Sequence, residues 1–429
     1  MRKVIHTMEK VIIDGGVALE GSISVSGMKN AAVAVLFASV LVGDVCTIEN
    51  LPDISDVNIS LQILESVGVK VERLDATSVR LDSTNACDTM PPQELVKKMR
   101  ASYYLVGASL GRFGHAAVPY PGGCDFGKRP IDQHLKAFHA LGAVATETPE
   151  LIEATATGKR LKGANILFDC PTVGGTMNAI MAAVLAEGST IIENAAREPH
   201  VIDLVNFLNL CGANISNAGT ATIKIKGVEK LHGCIYEISP DMIEAGTYMI
   251  AAAATGGCLS VENVIPKHLE TVSLKLSEMG AYVEDDEDNS RVIVRGTGTL
   301  IGKDVQTQPY PGFPTDMQPQ IAVLLCMAEG ESTLVDTVWK NRFRYVEELK
   351  RMGADITVMG ENTAKFAGST TFQPARVRAV DLRAGAAMVI AGLVAKGQTE
   401  IDDFFYVERG YDHIIEKLRS VGANIMKIN

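Results

Sequence analysis

The sequence predicts an α/β protein with two similar domains, each made of three repeats of one strand–helix unit. Buried central helices are expected to be enclosed by strands, as in an inside-out α/β barrel. Three observations support this: a helix ending in glycine recurs six times, a more apolar helix accompanies each copy, and strand-like segments separate the helices. Alternating strands and helices are typical of α/β folds. A chain of 429 residues exceeds what one core normally holds, so we expect two domains.

The first observation is an amphipathic helix followed by glycine and a short strand. The copies lie 68 to 74 residues apart. Glycine is the usual left-handed stop of a helix that leads into a strand. Near-constant spacing over six copies indicates a repeat architecture. The six glycines are Gly68, Gly142, Gly212, Gly280, Gly353 and Gly422.

The second observation is a helix without a polar face, such as AAVAVLFASVLVG or AGAAMVIAGLVAKG. A helix that is apolar on all sides is buried on all sides. The longest apolar run, 31–42, is too short to cross a bilayer. These segments therefore predict one central helix in each repeat, and no membrane partner.

The third observation is a strand before several central helices, often announced by L-x-G as in LEGSISVSG and LHGCIYEIS. One N-terminal strand, from Val11 to Val25, precedes the first central helix as IYEIS precedes the fourth. We therefore predict that 1–28 and 240–429 form a C-terminal domain completed by the N-terminal strand, and that 29–239 form an N-terminal domain. Two crossings between domains suit a hinge that closes on ligands.

Composition restricts the function. A net charge of −11 argues against nucleic-acid and anionic-membrane partners, but not against a small anionic ligand held by a few cations. The eight cysteines include no C-x-x-C pair, which excludes the usual zinc-ligand spacings and fits a reducing compartment. The first residues lack the apolar segment of a secretory signal. We expect a cytoplasmic protein.

Cations stand at the predicted starts of three central helices: Lys29, Arg100 and Arg383. A cation there opposes the helix dipole and costs about 0.3–1 kcal/mol. Three at equivalent positions predict an anion bound by the cations and by the first backbone N–H groups of the helices. The alternative is ordinary solvated surface charge, and Arg100 could also end a helix formed by ELVKKMR.

Cys124 lies in YPGGCDFGKRPIDQH, where glycine and proline favour a loop over a packed element. Lys128 and Arg129 would favour its thiolate and make it reactive. The alternative is a buried, unreactive thiol. The other seven cysteines lie in or beside apolar or strand-like stretches and are interpreted as structural.

Asp316, in FPTDMQPQ, has two interpretations. It could act as a base, or it or Thr315 could cap the following helix, in which case asparagine would replace Asp316 at little cost in stability. Arg409, in YVERGYD, is by itself an ordinary surface arginine.

Eight motifs occur in a fixed order: SGMKNAA, MRAS, PGGC-x-x-G-x-RP-x-D-x-H, ENAAREP, FPTDMQ, NRF, DLRA and ERGY. From about residue 8 to its end the chain thereby resembles the enolpyruvyl transferases, in particular the UDP-N-acetylglucosamine 1-carboxyvinyltransferases. The resemblance implies transfer of the enolpyruvyl group of phosphoenolpyruvate to the 3′-hydroxyl of UDP-N-acetylglucosamine. It also implies the first committed step of peptidoglycan synthesis, hence a role in cell shape and division, and sensitivity to fosfomycin. No metal, organic cofactor or obligate protein partner is implied.

The resemblance further implies roles for individual residues. The reaction would be an addition followed by an elimination through a tetrahedral ketal, with Cys124 protonating C3, Asp316 taking the hydroxyl proton and Asp381 close to the reacting centre. The cations that would hold the phosphate and carboxylate of phosphoenolpyruvate are Lys29, Arg129 and Arg409, supported by Arg100 and Arg383. The remaining residues implied to bind substrate are Asn30, Pro130, Ile131, Asp132, Gln133, His134, Thr172, Val173, Gly174, Val338 and Arg342, together with Arg129 and Asp316.

Two rival interpretations stay open. A shikimate-pathway enolpyruvyl transferase would share the fold, but its basic, serine-containing opening motif is absent. A non-catalytic paralogue that only binds UDP-N-acetylglucosamine is disfavoured by Cys124, Asp316 and Arg409. Three positions depart from the family pattern, which has lysine, glutamate and histidine there: Cys170, Lys340 and Tyr406.

Overall fold

The computed structural model describes residues 10–122 and 130–428. Contacts divide these residues into two compact units. The N-terminal unit comprises 27–239 and the C-terminal unit comprises 10–26 and 240–428, each within the described residues. The chain passes from one unit to the other after Ser26 and again after Ser239.

The described part of each unit contains three central helices, buried on nearly all sides, and outer helices with one buried face. The N-terminal unit has α1 (Lys29–Val42), α2 (Ser55–Ser66), α3 (Gln93–Val96), α4 (Tyr104–Phe113), α5 (Asp132–Ala140), α6 (Val173–Ala183) and α7 (Pro199–Leu210). The C-terminal unit has α8 (Met242–Thr255), α9 (Pro266–Glu278), α10 (Gln318–Met327), α11 (Val346–Arg351), α12 (Leu382–Val394) and α13 (Ile414–Ser420). Short 3₁₀ segments span Arg100–Tyr103, Thr315–Met317 and Phe404–Arg409.

The central helices are α1, α4 and α6 in the N-terminal unit and α8, α10 and α12 in the C-terminal unit. In α1 every residue except Asn30 is buried, which matches its lack of a polar face. The helix α4 packs against both α1 and α6. Gly107 permits the approach to α6, because a Cβ there would lie 2.5 Å from Oδ1 of Asn178. Among the described residues, no helix has both the length and the apolar character needed to cross a membrane.

The six repeat glycines behave alike. Each follows an outer helix and has a backbone φ between 85° and 99°, where side chains other than glycine are strained. The six-repeat prediction is therefore confirmed at the level of backbone conformation.

The strands are short, as expected for a repeat of this length. In the first half of the chain they are β1 (Lys10–Gly15), β2 (Glu20–Ser24), β3 (Val45–Glu49), β4 (Lys70–Arg73), β5 (Val79–Asp82), β6 (His115–Pro119), β7 (Ala143–Glu147), β8 (Leu151–Ala156), β9 (Asn165–Leu167), β10 (Ser189–Glu193), β11 (Asn214–Ser216), β12 (Thr222–Lys226) and β13 (Ile235–Glu237). The others are β14 (Cys258–Glu262), β15 (Tyr282–Asp286), β16 (Arg291–Arg295), β17 (Val305–Thr307), β18 (Ser332–Asp336), β19 (Ile356–Met359), β20 (Thr363–Phe366), β21 (Arg376–Arg378), β22 (Gly397–Asp402) and β23 (Asn424–Ile428).

The described strands form six open sheets, one for each repeat. In the N-terminal unit the strand orders are β13-β3-β5-β4, β6-β8-β7 and β11-β12-β10-β9. In the C-terminal unit they are β15-β16-β14-β2, β17-β18-β20-β19 and β21-β22-β1-β23. The predicted mixed α/β class, with central helices packed against strands, is confirmed, but the described strands close no barrel.

The prediction of one N-terminal strand from Val11 to Val25 is wrong. The segment forms two strands in different sheets: β1 lies antiparallel between β22 and β23, and β2 runs parallel to β14. β1 ends at Gly15, where a Cβ would lie 2.0 Å from the carbonyl oxygen of Gly392, and Gly16 then leaves the extended conformation with a φ of 93°. Both strands belong to the C-terminal unit.

Candidate active site

In the C-terminal unit, Asp316 lies between two buried arginines. Its Oδ1 accepts a hydrogen bond from Nη2 of Arg342 at 2.8 Å, and its Oδ2 accepts one from Nη2 of Arg383 at 3.1 Å. Both guanidinium groups are almost fully buried, whereas the Asp316 side chain keeps 30% of its surface exposed. We call these three residues the arginine–aspartate cluster.

The structure excludes the helix-cap interpretation of this segment. Asp316 is in a 3₁₀ turn before α10, and neither Pro314 nor Met317 at the two helix starts has a side-chain cap. Burial by itself would raise the pKa of Asp316, but the charges of Arg383 and Arg342 outweigh it and hold that pKa well below its usual range. The carboxylate is therefore ionised in the state described.

Arg383 is the second residue of α12, whose N-cap is Asp381. Oδ1 of Asp381 accepts hydrogen bonds from the backbone N–H groups of Arg383 and Ala384, both at 2.9 Å. The expectation that the first N–H groups of this helix await an anion is therefore wrong for α12. The Arg383 guanidinium carbon lies 5.5 Å from the ring centre of Tyr411, and its buried Nη1 has no hydrogen-bond partner among the described residues.

A buried carboxylate that the sequence analysis missed supports this cluster. Asp336, the last residue of β18, accepts a hydrogen bond from Thr315 at 2.8 Å and from the N–H of Val338 at 3.0 Å. Thr315 in turn accepts one from Nη1 of Arg342 at 2.7 Å. Asp336 thus fixes both the turn that carries Asp316 and the loop that begins at Val338. In the amino-acid sequence, the only indication of a functional role for Asp336 is its position at the end of a strand-like segment.

Arg409 belongs to the same unit and is partly exposed at the end of the 3₁₀ segment Phe404–Arg409. Two of the departures from the family pattern also lie here, both at accessible positions. Lys340 forms an exposed ion pair with Glu361 at 3.0 Å, and the ring of Tyr406 packs against Phe405 with centroids 4.2 Å apart.

In the N-terminal unit, Lys29 is the first residue of α1 and is nearly buried. Its Nζ lies 2.8 Å from Oδ2 of Asp56, a buried residue in the first turn of α2. No side chain caps α1, whose N-cap residue is Met28. Asn30 follows and is partly exposed. The lysine is thus held by an ion pair whose acidic partner the sequence analysis did not identify.

A second group in this unit surrounds His134, which is on α5. Its Nδ1 accepts a hydrogen bond from Nδ2 of Asn178 at 3.0 Å, and its ring meets that of Tyr103 edge-on at 4.9 Å. Burial, with a smaller contribution from the charge of Arg100, lowers the pKa of His134 to about 3, so the imidazole is neutral. The Arg100 guanidinium lies over the Tyr103 ring at 5.4 Å.

Gly174, in the first turn of α6, completes this group. A Cβ at Gly174 would lie 2.7 Å from Oη of Tyr103 and 2.8 Å from Nε2 of His134. The structure thus brings together three predicted residues, Arg100, His134 and Gly174, around Tyr103, which the sequence analysis did not select. The alternative for Arg100 as the end of a helix is wrong, since it begins the 3₁₀ turn that leads into α4.

The remaining predicted residues lie at the starts of α5 and α6. Gln133 and Asp169 exchange hydrogen bonds of 2.9 and 3.0 Å, which tie α5 to the end of β9. Thr172 caps α6 by accepting from the N–H of Gly175 at 3.3 Å. The other predicted residues here are Pro130 and Asp132, both exposed, Ile131, which is buried, and Val173, which is partly exposed. Cys124 and Arg129 lie outside the described residues.

Comparisons with known proteins agree with this fold. The family model described as EPSP synthase (3-phosphoshikimate 1-carboxyvinyltransferase) matches residues 13–418. The solved enolpyruvyl transferase NikO from Streptomyces tendae superposes with a TM-score of 0.87 at 25% identity, covering 98% of this chain and 99% of NikO. EPSP synthase from Acinetobacter baumannii, at 20% identity and a TM-score of 0.75 over 98% of this chain and 100% of its own, shares the fold. The chain belongs to the EPSP synthase family of carboxyvinyltransferases.

Within that family, other relatives are far more similar in sequence. A protein of Caldanaerobacter subterraneus subsp. tengcongensis named UDP-N-acetylglucosamine 1-carboxyvinyltransferase 3 is 52% identical over 98% of this chain and its own full length. A Clostridium botulinum protein named UDP-N-acetylglucosamine 1-carboxyvinyltransferase is 51% identical, again over 98% of this chain and all of the relative.

Proposed function

We propose that this protein transfers the enolpyruvyl group of phosphoenolpyruvate to the 3′-hydroxyl of UDP-N-acetylglucosamine and releases phosphate. The observation that carries the proposal is the identity of about half of all positions, over essentially the whole chain, with relatives that bear this name. The buried cations support it, because both substrates are anionic. We propose that both units, as the two domains of the enzyme, contribute residues to the reaction.

Asp316 is our proposed base. A general base must accept a proton, and the two arginines that depress its pKa oppose this. We propose that a bound anionic substrate draws part of the arginine charge away from Asp316, which raises its pKa when the hydroxyl is in place. The buried Nη1 of Arg383, without a partner among the described residues, is suited to such an anion.

The other assignments follow the same chemistry. Lys29, Arg129 and Arg409 would hold the phosphate and carboxylate, with Arg100 and Arg383 in support, so that charge on the tetrahedral ketal is stabilised as it develops. The sugar hydroxyl would add to C2 of phosphoenolpyruvate while Cys124 protonates C3. Loss of the C3 proton and of phosphate would then regenerate the double bond, with Asp381 nearby.

The sugar nucleotide would occupy the second group of residues. We propose that Asn30, the 129–134 segment and the start of α6 bind it in the N-terminal unit, with Asp316, Val338 and Arg342 acting from the C-terminal unit. The neutral imidazole of His134, ordered by Asn178, would offer Nε2 as a hydrogen-bonding group rather than as a charge. We also propose a cytoplasmic location and the first committed step of peptidoglycan synthesis, which would give the enzyme a role in cell shape and division.

One assay separates this proposal from its rivals: phosphate release from phosphoenolpyruvate with UDP-N-acetylglucosamine, with shikimate 3-phosphate, or with no acceptor. We expect release with the sugar nucleotide alone. Release with shikimate 3-phosphate would favour the shikimate-pathway activity, which the 20% identity to a solved EPSP synthase disfavours. Binding of UDP-N-acetylglucosamine without any release would identify a non-catalytic paralogue.

The role of Cys124 has its own test. Fosfomycin is an epoxide that carries a phosphonate, so the cations proposed for phosphoenolpyruvate would place it and would favour the thiolate. We expect inactivation that UDP-N-acetylglucosamine accelerates, and one added mass on Cys124. Cys124→Asp should keep substantial turnover, because a carboxylic acid can still deliver the proton, and should resist the drug. Labelling of another cysteine, detected by mass spectrometry, would refute the assignment.

A further inference from the structure

Three cysteines from distant parts of the sequence meet inside the N-terminal unit. The Sγ atoms of Cys46, Cys211 and Cys234 all lie within 4.8 Å of one another, and those of Cys211 and Cys234 are 3.3 Å apart. Among the residues that the structure describes, this is the only group of three histidine, cysteine or acidic side chains close enough together to hold a metal ion. We call it the thiol cluster.

The fold fixes the cluster through three backbone anchors. Cys46 is an inward-facing residue of β3 and is fully buried. Cys211 follows the last residue of α7 as its C-cap and is also fully buried. Cys234 directly precedes β13, which runs parallel to β3, and its carbonyl accepts a hydrogen bond of 2.9 Å from the N–H of Thr47. The three sulfurs are therefore positioned by regular structure, not by a mobile loop.

We propose that the thiol cluster is a binding site for one thiophilic cation, Zn²⁺ or Cu⁺, ligated by the three thiolates. A Zn–S bond of about 2.3 Å places tetrahedral sulfur ligands about 3.8 Å apart. The observed separations, one of 3.3 Å and all within 4.8 Å, need only small side-chain rotations to reach that geometry. Thiolate ligands select these metals over hard cations such as Mg²⁺.

Access and proton balance are compatible with this chemistry. Cys234 is only partly buried, so a cation can reach the otherwise buried cluster from its side. Three thiols and one cation give a tris-thiolate complex and three released protons, with no change in oxidation state. Water would supply the fourth ligand of Zn²⁺, whereas three sulfurs are a sufficient set for Cu⁺.

Such a cation would connect parts of the unit that lie far apart in sequence. Cys46 belongs to the first repeat, Cys211 to the third, and Cys234 to the strand that returns beside β3. Because the three sulfurs meet only in the folded unit, binding should stabilise that unit. At a free cation concentration about a hundred times the Kd, we expect the melting temperature of the protein to rise by roughly 5 °C or more. None of the three cysteines has a role in the proposed reaction.

The test uses the full, reduced protein in which the exposed Cys87 and Cys170 are replaced by serine. Zn²⁺, Cu⁺ and, as a coloured substitute for zinc, Co²⁺ are titrated separately. We expect one equivalent of Zn²⁺ or Cu⁺ to be retained, a thiolate-to-cobalt charge-transfer band, and proton release. Cys46→Ala, Cys211→Ala and Cys234→Ala should each lose the band. The matched controls Cys326→Ala, also buried, and Cys258→Ala, also partly buried, should keep it.

A second measurement needs no substitution in the cluster, so it holds even if those variants unfold. Alkylation of the native protein with and without Zn²⁺, followed by peptide mass spectrometry, should show protection of Cys234, the partly buried member of the cluster, and of no cysteine outside the cluster. No retained cation, equal retention by the cluster variants, or protection elsewhere would overturn the proposal. A Cys211–Cys234 disulfide that forms in air while reduced protein binds no cation would also overturn it, and would identify a redox pair instead.

Discussion

The two units differ in how their central helices begin, although α10 of the C-terminal unit, like α1 of the N-terminal unit, has no side-chain cap. In the C-terminal unit, Asp241 caps α8 by accepting from two backbone N–H groups at 2.8 and 3.2 Å, and Asp381 caps α12 in the same manner. In the N-terminal unit, α1 and the 3₁₀ turn at Arg100 have no side-chain cap. At the start of α6, Thr172 accepts a single hydrogen bond, from the N–H of Gly175. The helix starts of the N-terminal unit therefore leave more backbone donors for a ligand.

The charges differ as well. In the arginine–aspartate cluster two buried guanidinium groups share the carboxylate of Asp316, and the buried carboxylates of Asp336 and Asp381 lie beside them. In the N-terminal unit the nearly buried Lys29 pairs with the buried Asp56, and the buried His134 is neutral. We propose that the two units hold anions differently, the C-terminal unit with guanidinium groups and the N-terminal unit with backbone donors beside a lysine. Substitutions that affect one unit selectively test this difference.

The largest expected effect is on the C-terminal unit. Asp316→Asn should lower turnover by about a thousandfold, as expected for loss of a general base. It should also destabilise the protein by roughly 2 kcal/mol, because two buried guanidinium groups lose their counter-charge while partial exposure of the carboxylate moderates the cost. This replaces the expectation of unchanged stability that the cap interpretation carried. Asp286→Asn, which weakens the ion pair with Arg291 at the surface, should leave the stability nearly unchanged.

The stability effect of Asp316 should depend on pH with a defined sign. Because its folded pKa lies below that of the unfolded chain, about 3.9, its contribution is present above pH 4 and is lost as the pH falls further. Denaturant titrations of the wild type and of Asp316→Asn should show that the difference between their free energies of unfolding is smaller at pH 3 than at pH 7. A difference of constant size would refute the charge pairing.

The next effect is on the N-terminal unit. Lys29→Met should lower kcat/KM for phosphoenolpyruvate by about a hundredfold, because we propose that Lys29 stabilises developing charge. It also leaves Asp56 buried beside an apolar chain, which should lower the melting temperature. In Lys29→Met/Asp56→Asn the stability should recover while activity does not. Recovery of both would show that Lys29 has a structural role only.

A smaller effect distinguishes the neutral histidine. His134 stays unprotonated in the folded protein, whereas its unfolded pKa is about 6.5. Its folded pKa is thus depressed, so the stability it contributes above pH 6.5 is lost as the pH falls. Between pH 7 and pH 5 the wild type should lose about 2 kcal/mol relative to His134→Asn, measured by urea unfolding. A pH-independent difference would contradict the burial of a neutral imidazole.

The smallest effect tests the packing around His134. Gly174→Ala should destabilise the protein by about 1 kcal/mol, because the new Cβ meets the ends of the Tyr103 and His134 side chains at under 3 Å. Tyr103→Phe removes the nearer of the two atoms, the Tyr103 hydroxyl. The double variant should therefore recover part of the loss in a thermal melt. Simple additivity of the two substitutions would show that the close approach is not the cause.

Much of the fold could be predicted because its signals are local. A helix without a polar face has to be buried, and a glycine after an amphipathic helix takes positive φ whatever packs against it. The split of the N-terminal strand into β1 and β2 was missed. The two strands pair with partners far along the chain, β1 with β22 and β23 and β2 with β14, and Gly15 packs against the backbone carbonyl of Gly392, almost 380 residues away.

The site shows the same division. Which chemical groups are available can be read from the amino-acid sequence alone: cations at helix starts, the carboxyl group of Asp316 and a histidine near a glycine-rich helix start. Packing in the folded chain decided that Asp316 pairs with two arginines instead of capping a helix, and that Asp381 caps α12. It also decided that Cys46, Cys211 and Cys234 meet. Periodicity reports on neighbours within one helix or strand, whereas these partners come from different repeats and are set by how the repeats pack.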